Sequence, residues 1–413
     1  MASKSKRARQ AAAKAKTKSA WPVIIWALVA AFAGYLQNRY GQFSDIRGFY
    51  GMRFMDGQHH WPYDVYTKAD GGTLLPVEYP AITGVAIWLL TFITPTTGIP
   101  LLNYFGINVV IHACLFAATG YYIKKLTNNS TAYVFVLAPA CFMALNLNWD
   151  MWAVLPMVAS IYYFEKEKRT VSAVLLGIAI AAKFFPVVLL LPIAIYFLKG
   201  KQIKSGLKHL GIVLASWLAF NLPVMLISFD GWKYFYTFSF NRGLGDGSIY
   251  SVLGKLGLGQ VYSNPLYYVL NIALFGMLIL FLFKSKINLS LAQTAFLTMF
   301  CFTYFGKQYS MQYVLWLAPL AVLTIASLPK KYIMPATYIY GAWQGIELLF
   351  RITYFQNWVT NLSASRGTPV GNPISDQLYG GIAITRYIFL FAFVIFLLIM
   401  KSKTSTSEKL DKE

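Results

Sequence analysis

Acidic side chains are scarce in this chain: Asp and Glu number 15 among 413 residues, against 36 Lys and Arg. Charged residues of both signs reach only 12%, apolar ones 57%, and mean hydropathy is +0.52. That balance excludes a soluble globule with a polar exterior. Cysteine is nearly absent too. Cys114, Cys141 and Cys301 all fall in apolar stretches, which indicates neither a disulfide framework nor a zinc site. The alternating polarity of barrel strands is missing, so helices are left as the spanning elements. No repeat of about 20 to 50 residues marks a solenoid.

What is present is a series of apolar runs near the length that crosses a ~30 Å hydrocarbon core. The pattern predicts an all-α polytopic membrane protein. The basic residues 1–20 read as a cytoplasmic tail, because seven of the 36 Lys and Arg lie there and others flank apolar runs. Nucleic acid is not expected as a partner. The first apolar run, WPVIIWALVAAFAGYL, reads as an uncleaved anchor. Residues 21–400 then form one transmembrane domain and 401–413 a second cytoplasmic tail.

In the second half, apolar segments are expected near 209–228, 263–283, 288–304, 313–328, 332–350 and 381–400. Lysines 199–208, 284–286 and 330–331 mark the cytoplasmic connections. Loops near 229–262, 305–312 and 351–380 should face outward. In the first half, the loop 39–78 is outward, but Lys124, Lys125 and the EKEKR run at 165–169 break simple alternation. The segment from Val171 to Lys199 carries Lys183 and Pro186 at its centre, where Pro removes a backbone hydrogen bond. Two half-length helices forming a hairpin would put EKEKR and Lys199 on one side and Asp150 on the other. A single kinked crossing is the alternative.

Five of the fifteen acids, Asp45, Asp56, Asp64, Asp70 and Glu78, are concentrated between Ser44 and Pro80. Asp45 follows the first apolar run closely and sits at headgroup depth, where a carboxylate can take a proton from a sugar hydroxyl. No second carboxylate is needed when the leaving group is already an anion, unlike glycoside hydrolysis. A solvated helix cap is the plainer reading of the same spacing. His59 and His60 beside Asp56 suggest a metal weakly, because adjacent side chains diverge and no i, i+4 pair of His exists there. Asp150 in NWD and Lys183 in AAKFFP are charges in or beside apolar segments, where isolated charge is costly and marks a site or a pair. Lys183 suits an anionic leaving group, or an acid as its partner. Lys307, Gln308, Tyr309, Ser310, Gln312 and Tyr313 open a further apolar segment as a polar helix start.

The order SDIRGFY, DGxxxxPY from Asp56 to Tyr63, EYP from Glu78 to Pro80, NWD, AAKFFP and KQYSMQYVLW resembles glycosyltransferase family 87 over roughly residues 20–400. The resemblance implies the GT-C fold, a bundle of roughly 10–13 membrane segments with interfacial helices in the outer first loop. It also implies inverting transfer from a polyprenyl-phosphate sugar on the outer face, with Asp45 as base. Lys183 and Pro186 map to donor-phosphate binding, and Lys307, Ser310, Gln312 and Tyr313 to the pocket. Arg47, Tyr63, Glu78, Tyr79 and Asp150 join them as substrate-binding candidates. Phe49 stands where a Tyr is common, Ala81 replaces a second Pro after EYP, and Met311 replaces the Pro before Gln312.

The expected activity is transfer of one sugar, mannose, from a polyprenyl-phosphate carrier to a lipid or glycan acceptor, without metal or other cofactor. The expected site is the outer face of a plasma membrane, with both termini cytoplasmic. An arabinofuranosyltransferase of the same fold, a flippase of lipid-linked sugars and a non-enzymatic envelope scaffold are the rival readings.

Overall fold

The computed structural model describes residues 19–40, 44–46, 59–67, 71–258, 264–285, 287, 289–365, 367 and 372–410. It is helical almost throughout. Helix α1 (Trp21–Tyr40) leads to a two-residue antiparallel pair, β1 (Tyr66–Thr67) and β2 (Thr73–Leu74), in register Tyr66 with Leu74. Then come α2 (Ala81–Phe92), α3 (Pro100–Thr127), α4 (Ala132–Val136), α5 (Pro139–Ala144), α6 (Met151–Glu165) and α7 (Arg169–Ala182). A 3-10 turn (Phe185–Leu189) precedes α8 (Leu190–Lys199), α9 (Ile203–Ile227), α10 (Phe229–Asn241), α11 (Ile249–Lys255), α12 (Asn264–Lys284) and α13 (Leu291–Tyr304). A second 3-10 turn (Met311–Tyr313) leads into α14 (Val314–Ala326), α15 (Lys330–Ser365) and α16 (Asp376–Leu410).

Five of these helices, α1, α3, α9, α12 and α16, are long and apolar enough to cross a bilayer, and five shorter apolar segments pack among them. Helix α14 is buried along nearly its whole length and forms the central post. Large apolar side chains of α9 and α12, such as Leu226 and Ile272, point outward. Both features suit a multi-pass membrane protein, in which lipid replaces water around the rim.

The stretch from Val171 to Lys199 is a hairpin. Helix α7 ends at Ala182, Lys183 is fully extended (φ −152°, ψ 141°), and Pro186 enters the 3-10 turn where its missing N–H costs nothing. The chain then returns: Arg169, at the start of α7, donates to the hydroxyl of Tyr196 near the end of α8 at 2.9 Å. Fourteen residues of α7 rise about 21 Å, too short for a full crossing. The Lys124 conflict has a related cause. At 12 residues, α2 does not span, so α3 is free to run toward the end of the bundle where Lys125, Glu165, Lys166, Ser290 and Ser327 line one recess of about 260 Å³.

Two loop expectations need correction. Residues 351–380 are mostly helix, because α15 runs on to Ser365 and α16 begins at Asp376. Hydropathy ended that run early because Glu347, Arg351 and Asn357 are polar, yet all three are buried and hydrogen-bonded inside the bundle. Likewise residues 229–262 contain α10 and α11. Within the first loop Asp45 and Ile46 are helical, while Arg47, Phe49, Asp56 and Asp70 lie outside the described residues.

Candidate active site

Chain segments distant in sequence meet at the end of the bundle opposite the Lys125 recess. Ser44 donates to the carbonyl of Asn146 at 2.6 Å, and the Asp45 amide donates to that of Leu147 at 2.8 Å, across 102 residues. Ile46 is fully buried beside them. The first loop is thereby clamped to the LNLNWD turn, which fixes where the Asp45 carboxylate stands.

That carboxylate lines a cavity of about 510 Å³. Glu78, Tyr79 and Asn148 share its wall, the hairpin tip supplies Lys183 and Phe185, the segment before α14 contributes Lys307, Gln308, Ser310, Gln312 and Tyr313, and the first turn of α14 adds Trp316. The last wall is Phe235, Phe238, Phe240 and Arg242 from α10 and its end, with Tyr267 and Tyr268 from α12. Phe184 and Phe240 are exposed at its rim.

Burial pushes the Asp45 carboxyl up to about 6; Lys183 and Arg242 pull it down, while Asp150 and Glu78 push it further up. Glu78 is also raised by burial, against the pull of Arg242. One acid is therefore poised near neutrality among three cations. Lys307 is held by the carbonyl of Phe240 and the hydroxyl of Tyr268, both at 3.2 Å, and lies 5.0 Å from the Tyr268 ring centre. Tyr313 stacks on Trp316 at 3.5 Å, and Trp316 on Phe185 at 4.1 Å. This aromatic stack joins the start of α14 to the hairpin tip.

Lys183 is not a bare cation. Its Nζ is 2.7 Å from the fully buried Asp150 and 4.6 Å from the centre of the Tyr79 ring. The structural reading, pairing with an acid, thus holds beside its place on the cavity wall. Asp150 stands behind Lys183 and does not line the cavity. Tyr63 is absent from the lining too: its hydroxyl donates to the Tyr79 carbonyl at 3.1 Å, and its own carbonyl accepts from Ser228 at 3.1 Å. A Cβ on Gly231 would lie 1.7 Å from that carbonyl oxygen, so glycine is required there. Tyr63 is a strut between the first loop and α10. Arg47 lies outside the described residues.

Among the described residues no group of three His, Cys, Asp or Glu could hold a metal. His59 contacts the Thr91 hydroxyl at 2.8 Å and His60 packs on the Tyr66 ring at 3.7 Å, so the two imidazoles diverge.

Such a cavity, lined by two acids and three cations at one end of a helical bundle, suits transfer between two substrates. The sequence model of glycosyltransferase family 87 matches residues 78–305, more than half of the chain. The protein belongs to that family. No curated protein matches the sequence significantly. Family membership makes this membrane protein a glycosyltransferase with a sugar donor and an acceptor, and sets aside transport and scaffolding. The matched region begins at Glu78 and so leaves Asp45 outside, joined to it by the clamp on Asn146 and Leu147.

Sequence reasoning missed Arg242, Asn148 and the Tyr267–Tyr268 pair. The signal for Arg242 was available: a lone arginine closing the aromatic run FYTFSFNR in a loop expected to face outward. Two departures from the expected family pattern fall where the backbone accepts either residue. Ala81 and Met311 each occupy the first position of a helical turn, where proline is favoured but other residues fit without strain.

Proposed function

We propose that this glycosyltransferase moves a single mannose from a polyprenyl-phosphate carrier to a lipid or glycan hydroxyl, with inversion, on the membrane face opposite its termini. The observation that carries this reading is that Asp45 shares one cavity with Lys183, Arg242 and Lys307. Asp45, ionised above about pH 6, accepts the acceptor's hydroxyl proton as that oxygen attacks the anomeric carbon. The bond from that carbon to the phosphate oxygen breaks, and its electron pair leaves with the polyprenyl phosphate. The growing charge on the phosphate is met by Arg242 and Lys307, with Lys183 helping to the extent that Asp150 leaves its charge uncompensated. The rings of Tyr79 and Tyr313 on the cavity wall offer apolar surface to a pyranose ring.

With cations on the departing side, the reaction is expected to run without a divalent metal. Purified protein incubated with radiolabelled polyprenyl-phosphate mannose and a membrane lipid extract should yield a new labelled glycolipid. Transfer from an arabinofuranosyl carrier but not the mannosyl one would overturn the choice of sugar. No product from any lipid-linked sugar would overturn the carrier class.

A further inference from the structure

The cavity wall formed by residues 307–313 is backed by an ion pair inside the bundle. Arg386, on α16, is fully buried, as is Glu347 on α15, and their side chains meet at 2.8 Å. Both residues lie beyond the family-matched region and neither lines the cavity. Two buried charges at membrane depth are costly to place and weak evidence for stability as such. Their bonding shows where that cost is directed.

Arg386 donates from Nη1 to the Tyr309 carbonyl at 2.9 Å and from Nη2 to the Ser310 carbonyl at 3.3 Å, with its guanidinium 3.4 Å from the Tyr309 ring centre. Glu347 accepts the Tyr309 hydroxyl and the Trp343 indole N–H, each at 2.9 Å. The pair thus holds Tyr309 by ring, hydroxyl and carbonyl and fixes two of the peptide groups between Lys307 and Gln312. The facing loop is held from the same helix. Tyr387 donates to the Gly247 carbonyl at 2.9 Å, and a Cβ on Gly247 would lie 2.4 Å from the Tyr309 carbonyl oxygen.

We propose that Glu347 and Arg386 are positioning residues that set the backbone of 309–310, and through it aim Lys307 at the phosphate of the lipid carrier. The planar guanidinium is what allows one side chain to hold two carbonyls and a carboxylate; lysine cannot reproduce that fork. This inference rests on the donor-phosphate reading above, and a binding assay separates the two. The affinity of the full-length detergent-solubilised protein for a polyprenyl monophosphate, with the matching polyprenol as control, is compared in Lys307→Met, Arg386→Lys, Tyr309→Phe and the Lys307→Met/Arg386→Lys double variant. Arg386→Lys should weaken phosphate binding roughly tenfold or more, in line with the cost of a small misplacement of an aimed group, and leave the polyprenol unaffected. Tyr309→Phe, which preserves shape and the ion pair, should show a smaller loss in the same direction even if Arg386→Lys proves too unstable to purify. The double variant should bind no more weakly than Lys307→Met alone. Full additivity, or normal phosphate affinity in both Arg386→Lys and Tyr309→Phe beside a weakened Lys307→Met, would overturn the inference alone. Unchanged affinity in Lys307→Met would overturn the phosphate reading and this inference with it.

Discussion

Asp45 and Arg242 line the same cavity and feel one another's charge, and the consequences can be read in rates. Asp45→Asn should lower turnover by about 10²–10⁴-fold, the usual worth of a positioned base, measured as label transferred per mole of folded enzyme. Because the proposed base must be ionised and the pKa of Asp45 is held near 6, kcat/KM in the native protein should rise with pH through about 6 and then level. Arg242 lowers that pKa. Removing its charge in Arg242→Met therefore lets the pKa rise, and the acid limb of the profile should move to higher pH. A limb that stayed in place would show that the titrating group is not Asp45. Asp45 could be proposed as a base from sequence because it follows an apolar run. Arg242 carried only one local mark, the aromatic run it closes, and that mark does not say which cation meets a cavity.

Among the elements, the α7–α8 hairpin is the part whose local signals were clearest. Lys183 and Pro186 at the centre of an apolar segment read as a break, and the chain does turn there. What holds the tip was not legible: Asp150 lies 33 positions away and is drawn to Lys183 only by packing of α6 against α7. Lys183→Met should leave Asp150 as a buried, uncompensated carboxylate and destabilise the protein by about 3–5 kcal/mol, seen as a lowered midpoint of thermal unfolding in detergent. The Asp150→Asn/Lys183→Met double variant should recover much of that loss, because no orphaned charge remains. Equal destabilisation in the single and double variants would mean the pair does not hold the tip.

For the whole molecule, the basic connections gather at one end of the bundle and the cavity opens at the other. In a chain cleared of its three cysteines, single cysteines at Glu167 and Gln202 should react with an impermeant maleimide from the face that carries both termini. One at Asp64 should react from the opposite face. All three positions are exposed. Label reaching Asp64 and Glu167 from the same face would overturn the proposed placement of the site opposite the termini. Activity should also persist in EDTA; a loss that manganese restores would replace the metal-free scheme.

The chain alone determined that this is a helical membrane protein, where most apolar segments fall, where one of them breaks, and which polar groups are candidates for chemistry. Those are sums over neighbouring residues, and hydropathy or a misplaced proline reports them directly. The tertiary structure decided the rest. It placed Asp45 by hydrogen bonds 102 residues away, made Tyr63 a strut, and moved Asp150 behind Lys183. It also kept Glu347, Arg351 and Arg386 inside helices that hydropathy had cut short. A charge in a bilayer is tolerable only where a partner meets it, and the partner is supplied by packing between segments that the linear order does not bring together.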